Sequence, residues 1–143
     1  MDIASIILNA AKAVKVSGTL LLAICNHESN GFTLNYTPHD KGSPSFGSCQ
    51  IKESTAKMLG FKGNVKKLND PKINAKYAAL YLQYQERRYG KDNWIAITSS
   101  YNAGSYVLSK KNPKCPKNIK YVNLVRTKLP EFLKNKLECQ LNK

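Results

Sequence analysis

Glu28 is the residue whose setting in this sequence most suggests chemistry. Counted along a helix it follows Ile24 by four residues, Cys25 by three and Leu21 by seven, so its carboxylate shares a stripe with apolar side chains. A lone ionised carboxylate is costly to bury, and the group responds by raising its pKa. A glutamic acid that stays protonated near neutral pH can give a proton to a leaving group. Glu28 also stands where a helical pattern yields to a long irregular stretch, and a carboxylate on a rigid element beside a loop is well placed to meet a ligand. A glutamate at a helix end can equally turn outward into water, since carboxylates are seldom fully buried. Periodicity does not choose between the two.

The elements that must position it are mostly helical. Ile3, Ile6, Ile7, Ala10 and Val14 recur at helical spacing. Ser17-Gly18 interrupts that pattern, and Thr19 is the expected cap of a second helix carrying Leu20, Leu21, Ile24 and Cys25. Over 29–47, Gly31, Pro38, Gly42, Pro44 and Gly47 break regular structure and predict a long loop or small irregular hairpin. Loops of that length inside a domain are uncommon and often functional. The stretch 53–59 reads as a short helix stopped by Gly60. Asp70-Pro71, an N-cap followed by a first-position proline, opens a helix with Ile73, Tyr77, Leu80 and Tyr84 on one face up to Gly90. Trp94, Ile97 and Tyr101 mark another, ended by Gly104, and 118–128 and 130–141 are two more. The expectation is one domain over 1–143, with five to seven helices around one irregular loop.

Composition narrows the partners. Hydrophobic residues make up 42% and charged residues 22%, so the chain is expected to fold rather than stay disordered. Lys and Arg number 23 against 9 Asp and Glu, a formal charge of +14, which draws the protein toward polyanions. The basic residues come only as short pairs, Lys66-Lys67, Arg87-Arg88 and Lys110-Lys111, with no dedicated basic arm and no nucleic-acid-binding motif. No apolar run reaches the roughly 20 residues a membrane span needs, and no signal peptide is legible, so synthesis in the cytoplasm is expected. Cys25, Cys49, Cys115 and Cys139 lack zinc-ligand spacing, and neither a metal nor another cofactor is expected. Free thiols are the expected state of the four, with a Cys115–Cys139 bridge conceivable; sequence does not settle the pairing.

Four blocks in order then carry a family resemblance. His27-Glu28-Ser29-Asn30-Gly31-Phe32 resembles the Glu-Ser-x-Phe signature of SLT-type lytic transglycosylases, which share the goose-type lysozyme fold. Gly47-Ser48-Cys49-Gln50-Ile51, with Ser54-Thr55-Ala56 after it, is similar to their Gly-Leu-Met-Gln-Ile block. Leu68-Asn69-Asp70-Pro71, Asn74 and Ala79-Leu80-Tyr81-Leu82 resemble the third, and Ser100-Tyr101-Asn102-Ala103-Gly104 the Ala-Tyr-Asn-Ala-Gly block. Tyr121-Val122 is similar to a late Tyr-Val pair. The resemblance spans about residues 18–126 and implies a mainly α, α+β lysozyme-like fold with an irregular hairpin beside a cleft.

It also implies roles. Glu28 is the sole acid/base, with Tyr101 steadying the acid or the developing charge. Ser29 orients the sugar or Glu28, Gln50 and Asn102 bind substrate, and Tyr121 is a further contact. Cys49, where the family has Met, stands at the position that touches the N-acetyl group, and the smaller side chain leaves that contact in doubt. Each has a structural alternative: Ser29 and Ser54 as helix caps, Tyr101 as a core aromatic, Gln50 and Asn102 as supports of loop backbone. Asp70 is assigned to capping, and Trp94 to the core.

The implied reaction cleaves the β-1,4 bond between N-acetylmuramic acid and N-acetylglucosamine in peptidoglycan and closes a 1,6-anhydro ring without water. A hydrolase of this fold needs a second carboxylate, about 6.5–9.5 Å away in an inverting enzyme. Asp40, the single carboxylate between Glu28 and Gly47, is the candidate, in a setting that loosely resembles the acidic loop of goose-type lysozymes. A non-catalytic glycan or polyanion binder is the other class, although such a relic is expected to have lost Glu28. The implied partners are glycan strands and the anionic cell envelope, met by a monomer acting on the bacterial wall. A bacteriophage endolysin, a virion-borne enzyme and a bacterial remodelling enzyme all fit.

Overall fold

The computed structural model describes residues 1–32, 36–37 and 43–139. Among them run six α-helices: α1 Ile3–Ala13, α2 Gly18–Glu28, α3 Glu53–Met58, α4 Pro71–Tyr89, α5 Trp94–Ala103 and α6 Ile119–Arg126. Two 3₁₀ segments, Val65–Asn69 and Glu131–Leu137, and three two-residue strands, β1 Tyr36–Thr37, β2 Ser45–Phe46 and β3 Ile51–Lys52, complete them. The chain is organised as two compact units, Met1–Gln83 and Tyr84–Lys143. No helix among the described residues is long and apolar enough to cross a membrane.

In the first unit, α1 starts where the Asp2 carboxylate accepts the Ser5 N–H, and α2 where the Ser17 hydroxyl accepts the Leu20 N–H. The cap of α2 is therefore Ser17, two residues before the expected Thr19, because Ser17 holds the extended backbone a cap requires. Ile7 and Ala11 of α1 are buried, as are Leu20, Leu21 and Ile24 of α2, and these two helices pack together. Each such leucine or isoleucine contributes about 1.5–3 kcal/mol by leaving water. The expected hairpin is a three-stranded antiparallel sheet in the order β1-β2-β3, with Tyr36 opposite Phe46 and Phe46 opposite Ile51. Asp70 caps α4 as expected, its carboxylate accepting from the N–H groups of Lys72 and Ile73.

In the second unit, α5 packs with α6 and with Glu131–Leu137, burying Ile97, Val122, Val125 and Leu137, and Trp94 is in the core. Gly104 ends α5 at φ 86°, a left-handed conformation that suits glycine, and its N–H returns to the Ser100 carbonyl. Arg88 locks that end by donating to the Gly104 carbonyl at 2.6 Å and to the Ser105 hydroxyl. The expected final helix over 130–141 is instead the short 3₁₀ segment Glu131–Leu137. Cys115 is joined to Cys139 and Cys25 to Cys49, so the expected free thiols are disulfides. Each pair lies 24 residues apart in sequence and meets only through the fold.

Candidate active site

Glu28 is the last residue of α2 and is half-buried. Ser29 follows as the C-cap; its hydroxyl is fully buried, donating to the Cys25 carbonyl at 2.8 Å and accepting from the Phe32 N–H at 2.9 Å. Asn30, Gly31 and Phe32 then all have positive φ, so the chain leaves the helix through three successive left-handed residues. Left-handed backbone at non-glycine residues is uncommon and concentrates at working sites.

The second piece of this unit is the turn 47–50. Cys49 is wholly buried and bonded to Cys25, one helical turn before Glu28, with their Cα atoms 4.2 Å apart. The bridge therefore welds the Glu28 end of α2 to the turn whose next residue is Gln50. Gln50 has φ 51° and donates its Nε2 to the Gly47 carbonyl at 2.8 Å. Asn74, fully buried on α4, fixes the turn from below: its Oδ1 accepts the Cys49 N–H at 2.9 Å. Its amino group donates to the carbonyls of Phe46 at 2.6 Å and Leu68 at 2.7 Å. Gly47 runs so close to this amide, at φ 74°, that a Cβ there would collide with it.

The second unit carries the other predicted residues. Tyr101 on α5 is buried, Asn102 beside it is exposed, and Tyr121 on α6 is half-buried. Asn118 connects Asn102 and Tyr121. Its Nδ2 donates to the Ser99 carbonyl and to Asn102 Oδ1, both at 3.0 Å; its Oδ1 accepts the Ser99 hydroxyl, and its carbonyl accepts the Tyr121 N–H. The Asn102 oxygen is thus held by Asn118, and its amino group is a donor. A cleft of about 230 Å³ beside it is walled by Ala103, Ser105, Val107, Lys117 and Asn118.

A family model described as the transglycosylase SLT domain matches residues 5–122, a span that contains all four sequence blocks. The chain belongs to the transglycosylase SLT domain family. In structure, the SLT domain is similar to the lytic transglycosylase Slt of Pseudomonas aeruginosa, solved as an inactive mutant, with TM-score 0.62 at 14% identity. The likeness covers 94% of this chain and 22% of that one, and it shows the mainly α, lysozyme-like fold. No curated protein matches in sequence.

Within the SLT domain the structure brings Glu28, Ser29 and Gln50 to two elements joined by one bridge, and Asn102 and Tyr121 to a single asparagine. Cys49 exposes no surface to a ligand: its sulfur is spent on holding the turn. Asp40 lies outside the described residues. Asn118 and the pairing of Cys25 were missed as site-forming residues; an asparagine ahead of an apolar run reads as an ordinary cap, and a cysteine gives no sign of its partner. Glu86 is a carboxylate whose pKa is raised, by burial, with Lys91 and Arg87 opposing; it walls neither this cleft nor the groove between α1 and the start of α4.

Proposed function

We propose that this SLT domain is a peptidoglycan lytic transglycosylase that cuts the bond from N-acetylmuramic acid to N-acetylglucosamine, with Glu28 as its one acid/base. The observation that carries the reading is the Glu28 helix end, bridged by Cys25–Cys49 to the left-handed turn of Gln50, in a chain matched by the family over residues 5–122. The similar Slt structure is of an inactive mutant in which glutamine replaces a glutamate, so in that protein the change of one glutamate accompanies loss of activity.

The steps follow from one carboxyl group. Protonated Glu28 gives its proton to the bridging oxygen as the bond to C1 of the muramyl sugar breaks, and the N-acetylglucosamine end leaves as an alcohol. The Glu28 carboxylate then takes the proton of the C6 hydroxyl, whose oxygen closes on C1. The product is a 1,6-anhydromuramyl end, and the acid is restored without water. Tyr101, Asn102 and Tyr121 take the roles the resemblance implies, and the Asn102 amino group suits a sugar oxygen or acetyl carbonyl. The net charge of +14 favours adhesion to an anionic envelope. We place the enzyme at the bacterial wall as a monomer serving lysis.

Mass spectrometry of muropeptides released from purified walls tests this. Anhydro ends from the wild type, and their loss in Glu28→Gln, are expected. Reducing ends would make the enzyme a muramidase and move attention to Asp40. Undiminished cleavage by Glu28→Gln would remove Glu28 as the acid.

A further inference from the structure

One cavity among the described residues of the first unit contains none of the predicted site residues. It is a groove of about 430 Å³ between two helical stripes. On α1 and its C-cap, Ile6, Ala10, Ala13 and Val14 face it, at the spacing that keeps one side of a helix together. Two of these are alanines, and their small side chains give the groove its depth. On α4 the facing stripe is Lys72, Lys76 and Leu80, each four residues after the last. The groove thus has two lysines near the start of α4, the Lys76 ammonium lying 5.5 Å from the centre of the Tyr77 ring, and only carbon at Leu80.

Among the described residues, no acidic one lines it. The two carboxylates nearest in sequence to the lining, Asp2 and Asp70, accept from backbone N–H groups, Asp2 from Ser5 and Asp70 from Lys72 and Ile73. The one amide in the lining, Asn9, spends its Nδ2 on the Met1 sulfur at 3.4 Å. A sugar or a peptide backbone would lose its hydration here and find few partners in return, which costs free energy. An alkyl chain with an anion at one end meets carbon along its length and cations at its head. The volume lies in the range of small-molecule sites, and the α1 stripe spans about 12 Å, too short to seat a partner helix of several turns.

We propose that this groove binds the phosphate headgroup and one acyl chain of an anionic envelope lipid. The site is separate from the glycan chemistry, and its binding does not depend on that reading. Its consequence is that the domain works from the membrane face of the wall.

Dodecyl phosphate is the soluble probe, with inorganic phosphate and dodecyltrimethylammonium beside it, followed by NMR of the α1 and α4 amides. Dodecyl phosphate is expected to bind saturably at one site, and the other two not to saturate. The double change Lys72→Gln/Lys76→Gln is expected to weaken binding about tenfold, the scale of two exposed ion pairs. Ala13→Trp, at an exposed position, is expected to abolish it by filling the groove. Lys66→Gln/Lys67→Gln removes the same charge from the exposed 3₁₀ segment and is expected to change it less than about twofold. Vesicles of phosphatidylcholine with phosphatidylglycerol should sediment the protein with the same ranking of variants. Equal losses from both lysine pairs, full binding by Ala13→Trp, or equal affinity for the cationic amphiphile would overturn the proposal. Saturable binding of inorganic phosphate alone would overturn it in favour of a plain anion site. Cleavage of soluble glycan by the same variants should match wild type, which separates this test from that of Glu28.

Discussion

Asn74→Ala is the change for which the structure yields the most definite number. The native side chain is fully buried and uses its oxygen and its amino group on three backbone partners: the N–H of Cys49 and the carbonyls of Phe46 and Leu68. Truncation leaves one donor and two acceptors inside the protein without them. Each buried polar group so stranded costs about 1–3 kcal/mol. A water entering the vacated space can recover part of that, since the site is polar and offers it several partners. A net loss of about 3 kcal/mol is expected. In urea, at a slope of about 1–3 kcal/mol per molar, the midpoint should fall by roughly 1–3 M. Asn74→Asp is the sharper control. It keeps the acceptor for Cys49 but sets carboxylate oxygen against two carbonyls, so it should be at least as damaging as alanine. Far-UV circular dichroism against urea reads both variants. A loss under about 1 kcal/mol for alanine, or an aspartate variant as stable as wild type, would refute the role given to this side chain.

Glu28→Gln should lower release of anhydro-muropeptides at least about a hundredfold, the scale of losing a general acid, with the urea midpoint unmoved. Replacing Cys25 and Cys49 together by alanine reopens a 24-residue separation and should cost about 3 kcal/mol on the chain-entropy estimate, again read in urea. Asn118→Ala should free the Asn102 amide and raise KM for glycan about tenfold, with a smaller change in kcat; a fall in kcat alone would count against a binding role for Asn102.

Much of the fold is legible where local chemistry decides it. Asp70-Pro71 specifies the start of α4 by a carboxylate and a ring that need no tertiary help, and Gly104 ends α5 by tolerating a left-handed turn. The strands are two residues each, too short for an alternating pattern to register, and they form because backbone partners are brought to them. After Pro130 the apolar residues permit a helix, yet the chain takes a 3₁₀ path. For the site, Glu28 shows itself as a carboxylate on an apolar stripe. Asn74 and Asn118 do not show what they hold, because an asparagine's worth lies in which carbonyls the fold delivers to it. Cys49 suggests a ligand contact by its place in a motif, whereas its sulfur is engaged with Cys25.

That last bond bears on where the protein can mature. Glutathione-buffered compartments keep cysteines reduced, whereas periplasmic and extracellular spaces let disulfides persist. In the first setting the segment behind Glu28 and the loop bearing Gln50 would be tethered only by non-covalent contacts such as those of Asn74. A preparation from an ordinary bacterial cytosol would then start as dithiol and acquire the bridge only on exposure to air, and its specific activity would report the oxidation history of the sample as much as the chemistry of the enzyme.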